Sequence, residues 1–286
     1  MDAPASRVHY RVKIELMEKY RIVCVKFLLD FIPKGDWSWR LFECSTELQR
    51  PDIAPENVIN VRLHLGNNNV VYPNVQVYRL ENYIYLARTE NDVMLVNNTW
   101  DNVTVIKTES TQSFFTLLLQ LFYTHAVRRQ MIQLHCATIE DQGRGILFLG
   151  PSGIGKTTQA ERWAEFRGSS IINGDVGFVQ RTEREYIAWG TPWHGSSPYC
   201  LNTSVPVKAL VVLKQAQENK LRELTGFEKV AEVSGSVFYP TWLEDGMDLC
   251  TDTLNHLLTD LPVYRLDNRA DREAVELLAR ELDRIS

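Results

Sequence analysis

Apolar and polar residues alternate in short runs over the first part of the chain, as in Val8-His-Tyr-Arg-Val-Lys-Ile and Arg21-Ile-Val-Cys-Val-Lys-Phe. A period of two turns one face of each segment toward a core and the other toward solvent, so these runs predict β-strands. Pro33-Lys-Gly-Asp, Pro51-Asp-Ile-Ala-Pro and Gly66-Asn-Asn-Asn separate them as turns. Asn82-Tyr-Ile-Tyr-Leu, Val93-Met-Leu-Val and Val103-Thr-Val-Ile continue the pattern, with polar turns at Glu90-Asn-Asp and Asn97-Asn. The expectation is a β-rich region over residues 1–109.

The period then changes. Phe114, Phe115, Leu118, Leu121, Phe122 and Ala126 recur at three- and four-residue spacing, which predicts a buried helix between Thr111 and Gln130. Leu134 to Glu140 reads as a strand, Asp141-Gln-Gly-Arg as a hairpin turn and Gly145 to Leu149 as the returning strand. Lys156 to Phe166 is a predicted helix with Ala160, Trp163 and Ala164 on one face and Arg167-Gly168 as its stop. Strands are expected at Ser169–Ile172, Phe178–Gln180, Tyr186–Trp189, Val207–Leu213 and Val263–Leu266, and helices at Asp248–Thr259 and Ala270–Ile285. The fold class is therefore α/β: a mixed sheet flanked by helices over residues 110–286, with the β-rich region before it. There is no internal repeat or low-complexity linker.

Between the second hairpin strand and the helix lies Gly150-Pro-Ser-Gly-Ile-Gly-Lys-Thr, which fills every fixed position of the phosphate-binding pattern G-x-x-x-x-G-K-[ST]. Gly150, Gly153 and Gly155 permit backbone conformations closed to residues with a Cβ. Successive N–H groups, including those of Ser152 and Ile154, can then converge with the helix N-terminus on phosphate oxygens. Lys156 is placed to neutralise the β- and γ-phosphates, Thr157 to ligate Mg²⁺ and Thr158 to add a phosphate hydrogen bond. The ligands read from this stretch are ATP and Mg²⁺.

Composition narrows the classes. The 286 residues are 44% hydrophobic and 23% charged, ordinary for a globular chain long enough to bury a full core. A net charge of −5 gives no broad positive field, so nucleic acid is not an expected partner. The five cysteines, Cys24, Cys44, Cys136, Cys200 and Cys250, form no C-x-x-C pair, which argues against a disulfide framework or a zinc site. The longest apolar run, Phe114 to Phe122, is too short to span a bilayer, and Met1 to Arg7 lacks a secretory pattern. A cytoplasmic protein with no membrane partner is the expectation, with homo-oligomerisation left open. Trp37, Trp39 and Trp100, in turn-rich β segments without interleaved basic residues, read as packing anchors.

A phosphoryl-transfer site also needs a carboxylate for the metal or for the acceptor proton. Asp175 lies 19 residues after Lys156, just past the strand at Ile171-Ile172 that should return to the loop's edge of the sheet. Its bland alternative is an Asn-Gly-Asp turn whose carboxylate caps backbone groups. Leu134-His135, the hairpin, the glycine loop and Gly174-Asp175 together resemble the kinase domain of HPr kinase/phosphorylase and, more distantly, the nucleotide loop of ATP-dependent phosphoenolpyruvate carboxykinase. The likeness runs from about Arg128 to Val179 and weakens toward Leu213.

That resemblance implies a P-loop kinase core and puts His135 close to the phosphates. Where the family has two consecutive aspartates, this chain has Gly174-Asp175, so Asp175 stands alone as candidate metal ligand and base. Trp189-Gly-Thr-Pro-Trp-His-Gly-Ser-Ser-Pro is dense in the residue types that build a substrate loop and resembles a segment that short HPr-kinase-like proteins carry, many of them tied to peptide-modification gene clusters. Within it, His194 is a candidate base or γ-phosphate contact, histidine being a residue type suited to proton transfer. A proline-glycine turn with aromatic packing is the competing reading. Arg265 and Arg269 offer a clamp for a phosphate or an acceptor carboxylate, though surface pairing with Asp267 or Asp271 is the favoured reading.

Two functions fit. One is an ATP-dependent kinase acting on a hydroxyl, on Ser or Thr of a peptide or small protein or on a small molecule, with Asp175, Lys156, His194 and His135 as the catalytic set. The other is a nucleotide-sensing module without fast turnover. A motion-coupled NTPase fits less well, because no distant apolar-strand-Asp motif is present.

Overall fold

The structure, a computed structural model, describes residues 18–29, 37–43, 57–65, 85–88, 92–107 and 111–285. The expected strand at Val8–Ile14, the turns at 33–36, 51–55 and 66–69, part of the turn at 90–92, the start of the strand at Asn82, and Cys44 lie outside these residues.

The first compact unit holds a six-stranded sheet. Its strands are β1 (Glu18–Ile22), β2 (Val25–Leu29), β3 (Asn57–Leu65), β4 (Tyr85–Arg88), β5 (Asp92–Val96) and β6 (Asn102–Lys107), ordered β1-β2-β3-β6-β5-β4. β2 and β5 bury alternate residues, as a period of two requires. The run Arg21–Phe27 reads as one strand in the sequence but is broken by a turn at Val23-Cys24, with Val23 at φ 50°. A β-branched residue in that region gives no turn signal. Asn97 shapes the turn before β6: its side-chain oxygen accepts from Asp101 N and Asn102 N, and Trp100, at φ 61°, is buried there.

The second unit spans Leu118–Ser286 and takes in Ile22–Cys24 and Trp37–Phe42. Trp37–Arg40 is a short helix, α1, where the sequence suggested a β segment, and Trp39 is buried in it. Helix α2 (Thr111–Val127) is the expected apolar helix; Ser113, Thr116, Leu119 and Gln120 are half-buried, every residue from Leu121 to Val127 is buried, and Phe122 and Tyr123 pack edge-on to Phe178.

Nine strands follow: β7 (Met131–Asp141), β8 (Arg144–Leu149), β9 (Ser170–Asn173), β10 (Val176–Arg181), β11 (Tyr186–Trp189), β12 (Ser204–Gln215), β13 (Lys220–Leu224), β14 (Val237–Phe238) and β15 (Val263–Asn268). The sheet order is β11-β10-β7-β8-β12-β15-β13, with β9 and β14 also paired to β7. β8, β12 and β15 run parallel and the remaining pairings are antiparallel, so the fold is a mixed α/β sheet with six helices among the described residues. The β7–β8 hairpin closes over Gln142-Gly143, both at positive φ (54° and 78°), the geometry of a type I′ turn.

Helices α3 (Lys156–Arg167) and α6 (Arg272–Arg284) cover one layer of this sheet. Trp163, fully buried against Phe148 and Ala160, and Leu278 and Leu282 of α6 fill the space over Ile146, Val211 and Leu266. Truncating a side chain as large as Trp163 there should cost about 3–5 kcal/mol. Gly168, in the left-handed region at φ 71°, ends α3 as the Arg167-Gly168 signal implies. Helices α4 (Phe227–Val233) and α5 (Gly246–Asp260) complete the unit. β13, α4 and β14 were not foreseen: Lys220–Leu224 is mostly exposed and lacks an apolar alternation to read.

Candidate functional site

The site is a consequence of where strands stop. β8 ends with Leu149 opposite Cys136 of β7, and β14 begins with Val237 opposite Leu134, so His135 faces the place where the chain leaves β8 for the glycine loop. On the other side of β7 the same thing happens. β9 ends with Asn173 opposite Thr138, β10 begins with Val176 opposite His135, and Gly174-Asp175 bridge them. Cys136 N donates to Asp175 O at 3.1 Å, which holds the bridge against β7. Gly150, His135 and Asp175 are thereby brought into one row across the sheet.

The parallel strands add a second reason to look here. The chain leaving β8 crosses by α3 to β9 on one side, while the chain leaving β12 turns into β13, which lies beyond β15 on the other. Diverging connections open a crevice at the carboxyl ends of adjacent parallel strands, the usual place for a ligand in α/β sheets.

In the loop, Gly150, Gly153 and Gly155 adopt φ 139°, 77° and 106°. These are conformations that a Cβ disfavours, as the motif requires. Ser152 and Gly153 are exposed, Ile154 and Gly155 half-buried, and α3 begins directly at Lys156. The Lys156 ammonium is tucked under the loop, donating to Gly150 O (3.0 Å) and Pro151 O (3.2 Å), and Lys156 is buried. Burial lowers its pKa from the ordinary lysine value, and the Asp175 carboxylate opposes that shift. Gln215, at the end of β12, reaches Ile154 O at 3.5 Å from the other wall of the crevice. Thr158 is exposed on the first turn of α3.

Thr157 Oγ1 donates to Gly174 O at 3.2 Å, which links the helix start to the bridge carrying Asp175. The Asp175 carboxylate pairs with His135 Nε2 at 2.9 Å, both side chains being about a third exposed or less. Since a carboxylate only accepts, Nε2 carries the proton and the neutral ring keeps its lone pair on Nδ1. The backbone-capping role foreseen as the alternative for Asp175 belongs instead to Asn173, whose Oδ1 accepts from Asp175 N (3.0 Å) and Val176 N (2.9 Å).

The segment Trp189–Pro198 closes over this bridge. Trp193 is buried between Trp39 and Phe122, with ring centroids 5.5 and 5.2 Å away. A Cβ on Gly195 would lie 1.9 Å from Asp175 Oδ2, so the loop's backbone touches the carboxylate. His194 is half-buried, and its Nδ1 donates to Ser197 O, leaving Nε2 as the unprotonated nitrogen of the neutral ring. The structure brings His135, Asp175, Thr157 and Lys156 together and sets His194 on the loop beside them.

Beneath the site, burial pushes the Cys136 thiol up to about 12, so it stays protonated. Cys24, Cys136, Cys200 and Cys250 are buried and in no disulfide. No group of three or more His, Cys, Asp or Glu side chains that could hold a metal exists among the described residues. Arg265 pairs with Asp267 at 2.8 Å and Arg269 with Asp271 at 2.9 Å, the surface roles expected of them. Among the described residues no helix is long and apolar enough to cross a membrane.

The family model of SynChlorMet cassette protein ScmC matches residues 104–256, more than half of the chain and all of the elements that build this site. The chain belongs to the ScmC family. The solved Hpr(Ser) kinase/phosphatase from Coxiella burnetii aligns with 53% of this chain and 88% of its own, at 13% identity and a TM-score of 0.32. So distant a superposition fixes neither fold nor chemistry. No curated protein matches the sequence.

Of the residues in this site, Asn173 and Ser197 had no separate role in the sequence. Asn before Gly-Asp is a recognisable Asx-turn signal and points to the first. Nothing in the sequence points to Ser197, whose hydroxyl lies where a side chain at position 174 would go.

Proposed function

We propose that this ScmC-family chain is an ATP- and Mg²⁺-dependent kinase that transfers the γ-phosphoryl group to a hydroxyl, on Ser or Thr of a peptide or small protein or on a small molecule. The observation that carries this is the row formed by the glycine loop, the buried Lys156 ammonium and the Asp175–His135 pair at 2.9 Å. Phosphoryl transfer needs little covalent help from the protein; positioning and charge stabilisation supply most of the catalysis.

Lys156 exchanges the carbonyls of Gly150 and Pro151 for oxygens of the β- and γ-phosphates, while loop amides and the start of α3 hold the rest of the tail. Thr157 directs its proton to Gly174 O, which leaves its lone pairs for a hard cation, and Asp175 follows in the chain as a second oxygen donor. This donor set fits Mg²⁺, which takes one or two protein oxygens and completes its shell with water and phosphate. When bound, it neutralises charge that develops between the β- and γ-phosphates.

The acceptor oxygen forms its bond to the γ-phosphorus as the bond to the bridging oxygen breaks and ADP leaves. The acceptor proton passes to the Asp175–His135 pair, where a carboxylate oxygen or His135 Nδ1 takes it. His194, on the loop over Asp175, lines the acceptor side.

Calorimetry with ATP and millimolar magnesium, followed by single-turnover assays with γ-labelled ATP and serine- and threonine-containing peptides, tests the reading. Lys156→Ala should abolish binding, and Asp175→Asn should bind ATP yet transfer at least about tenfold more slowly. Absence of ATP and GTP binding by the wild-type protein would overturn the assignment. Tight binding with no labelled product would favour the sensing module, for which the lone aspartate argues.

A further inference from the structure

Deepening the kinase reading, and resting on it, we propose that Asn173 is the positioning residue of the transfer: one buried amide fixes Asp175 and the acceptor-side loop relative to each other. Asn173 is fully buried at the end of β9. Its oxygen accepts from Asp175 N and Val176 N at 3.0 and 2.9 Å. Its nitrogen donates to Thr191 O at 3.3 Å and Trp193 O at 2.8 Å. All the bonding capacity used on one end sets the turn that aims Asp175; all that used on the other end anchors the stretch leading into His194 and Gly195.

The consequence is mechanical. Gly195 touches Asp175 Oδ2 and Ser197 fills the space beside Gly174, so a shift of the loop moves the environment of the carboxylate directly. Without the amide, Asp175 N and Val176 N lose their side-chain acceptor, while Thr191 O keeps the Cys200 thiol at 3.3 Å and Trp193 O the Thr191 hydroxyl at 3.5 Å, so the link between the two segments passes through Asn173. Displacements near an ångström at a reacting group lower rates by up to about a hundredfold, so Asn173 acts on turnover without touching nucleotide. Lys156 and the glycine loop are held by their own bonds to Gly150 and Pro151.

Two substitutions separate the ends of the amide. Asn173→Asp keeps an oxygen to accept from Asp175 N and Val176 N but sets its other oxygen against two carbonyls. Asn173→Ala removes both. The probes are γ-labelled ATP with Mg²⁺, with water and a panel of serine and threonine peptides as acceptors, together with calorimetric ATP affinity and amide hydrogen exchange. Expected are ATP affinity and nucleotide KM within about twofold of wild type in both variants, and kcat lower by about tenfold to a hundredfold in Asn173→Ala. Asn173→Asp should retain protection at Asp175 and Val176, lose it across 191–197, and fall between the two in kcat.

Wild-type turnover in both variants would overturn the inference and leave the kinase reading standing. Parallel loss of ATP affinity and kcat would also overturn it, since that marks general unfolding of the edge. Wild-type protein that fails to bind ATP, or that binds it and labels neither water nor any peptide, would overturn the kinase reading and the inference with it.

Discussion

A methyl group on Gly174 would sit 1.8 Å from the Ser197 hydroxyl oxygen and 2.5 Å from Ser197 Cβ. Neither side can retreat freely. Ser197 is buried, its carbonyl receives the His194 ring, and its hydroxyl accepts from Tyr199 N at 3.3 Å. Gly174 is tied in turn by its N–H to Tyr199 O at 3.3 Å and by its carbonyl to Thr157. Overpacking of this kind costs about 1–3 kcal/mol, and two atoms inside 3 Å place Gly174→Ala toward the upper end. Ser197→Gly removes both offending atoms, after which the next neighbour, Tyr199 Cδ2 at 3.5 Å, is in ordinary contact. Alone it should cost about 1–2 kcal/mol, from one lost hydrogen bond and a more flexible chain. The double variant should therefore be about as stable as Ser197→Gly, with a favourable coupling of about 1–3 kcal/mol in urea unfolding. Coupling within about 0.5 kcal/mol of zero would refute the packing argument. Gly174→Asp, which writes the paired aspartate back into the sequence, meets the same atoms and should destabilise at least as much as Gly174→Ala.

Three further outcomes are expected. Because burial lowers the Lys156 pKa and a bound triphosphate would raise it, ATP binding at alkaline pH should take up protons and weaken as pH rises through that pKa; calorimetry in buffers of different ionisation enthalpy reads the uptake, and a binding heat independent of the buffer would refute it. Burial pushes the Asp141 carboxyl up, but hydrogen bonds from Arg167, Ser169 and Arg144 more than offset it and hold its pKa below 3.8. That stabilisation is complete above the ordinary carboxylate range and lost as pH falls through the lowered value, so Asp141→Asn should cost about 3 kcal/mol at neutral pH and flatten the acid limb of an unfolding curve. At the β7–β8 turn, Gln142 has φ 54°, where asparagine is better tolerated, and Gln142→Asn should raise the thermal midpoint by stabilising the fold by about 0.5 kcal/mol.

The elements around the site were legible because each carries two agreeing signals. The β7–β8 hairpin shows apolar strands on either side of a glycine turn, α3 shows a glycine loop before it and Gly168 after it, and α6 has an apolar stripe capped by Asp271 accepting from Ala274 N. What escaped has one signal or none. The turn at Val23 uses a residue type that disfavours it, and β13 is an exposed strand whose partner, β15, lies some forty residues on. In the site, Asp175 could be placed because its strand follows α3 directly. The mutual fit of Gly174 with Ser197, and of Gly195 with Asp175, depends on a loop that returns from beyond β11, and local sequence holds no record of such a contact.

That fit bears on what a lone aspartate means. If Gly174 were an eroded position, open space would be expected where a side chain once stood. Instead a buried serine occupies it, and the same loop places a glycine at φ 60° against the surviving carboxylate. The site is thus packed around a single aspartate. Within the proposed transfer, the partner for that carboxylate is His135, reached across β7 and β10 rather than along the chain. Replacing His135 should then be felt as strongly as replacing Asp175. His135→Gln, which can still donate to Asp175, should slow transfer by about tenfold or more while leaving ATP affinity unchanged. A rate equal to wild type would limit the histidine to holding Asp175 and would leave proton transfer to the carboxylate alone.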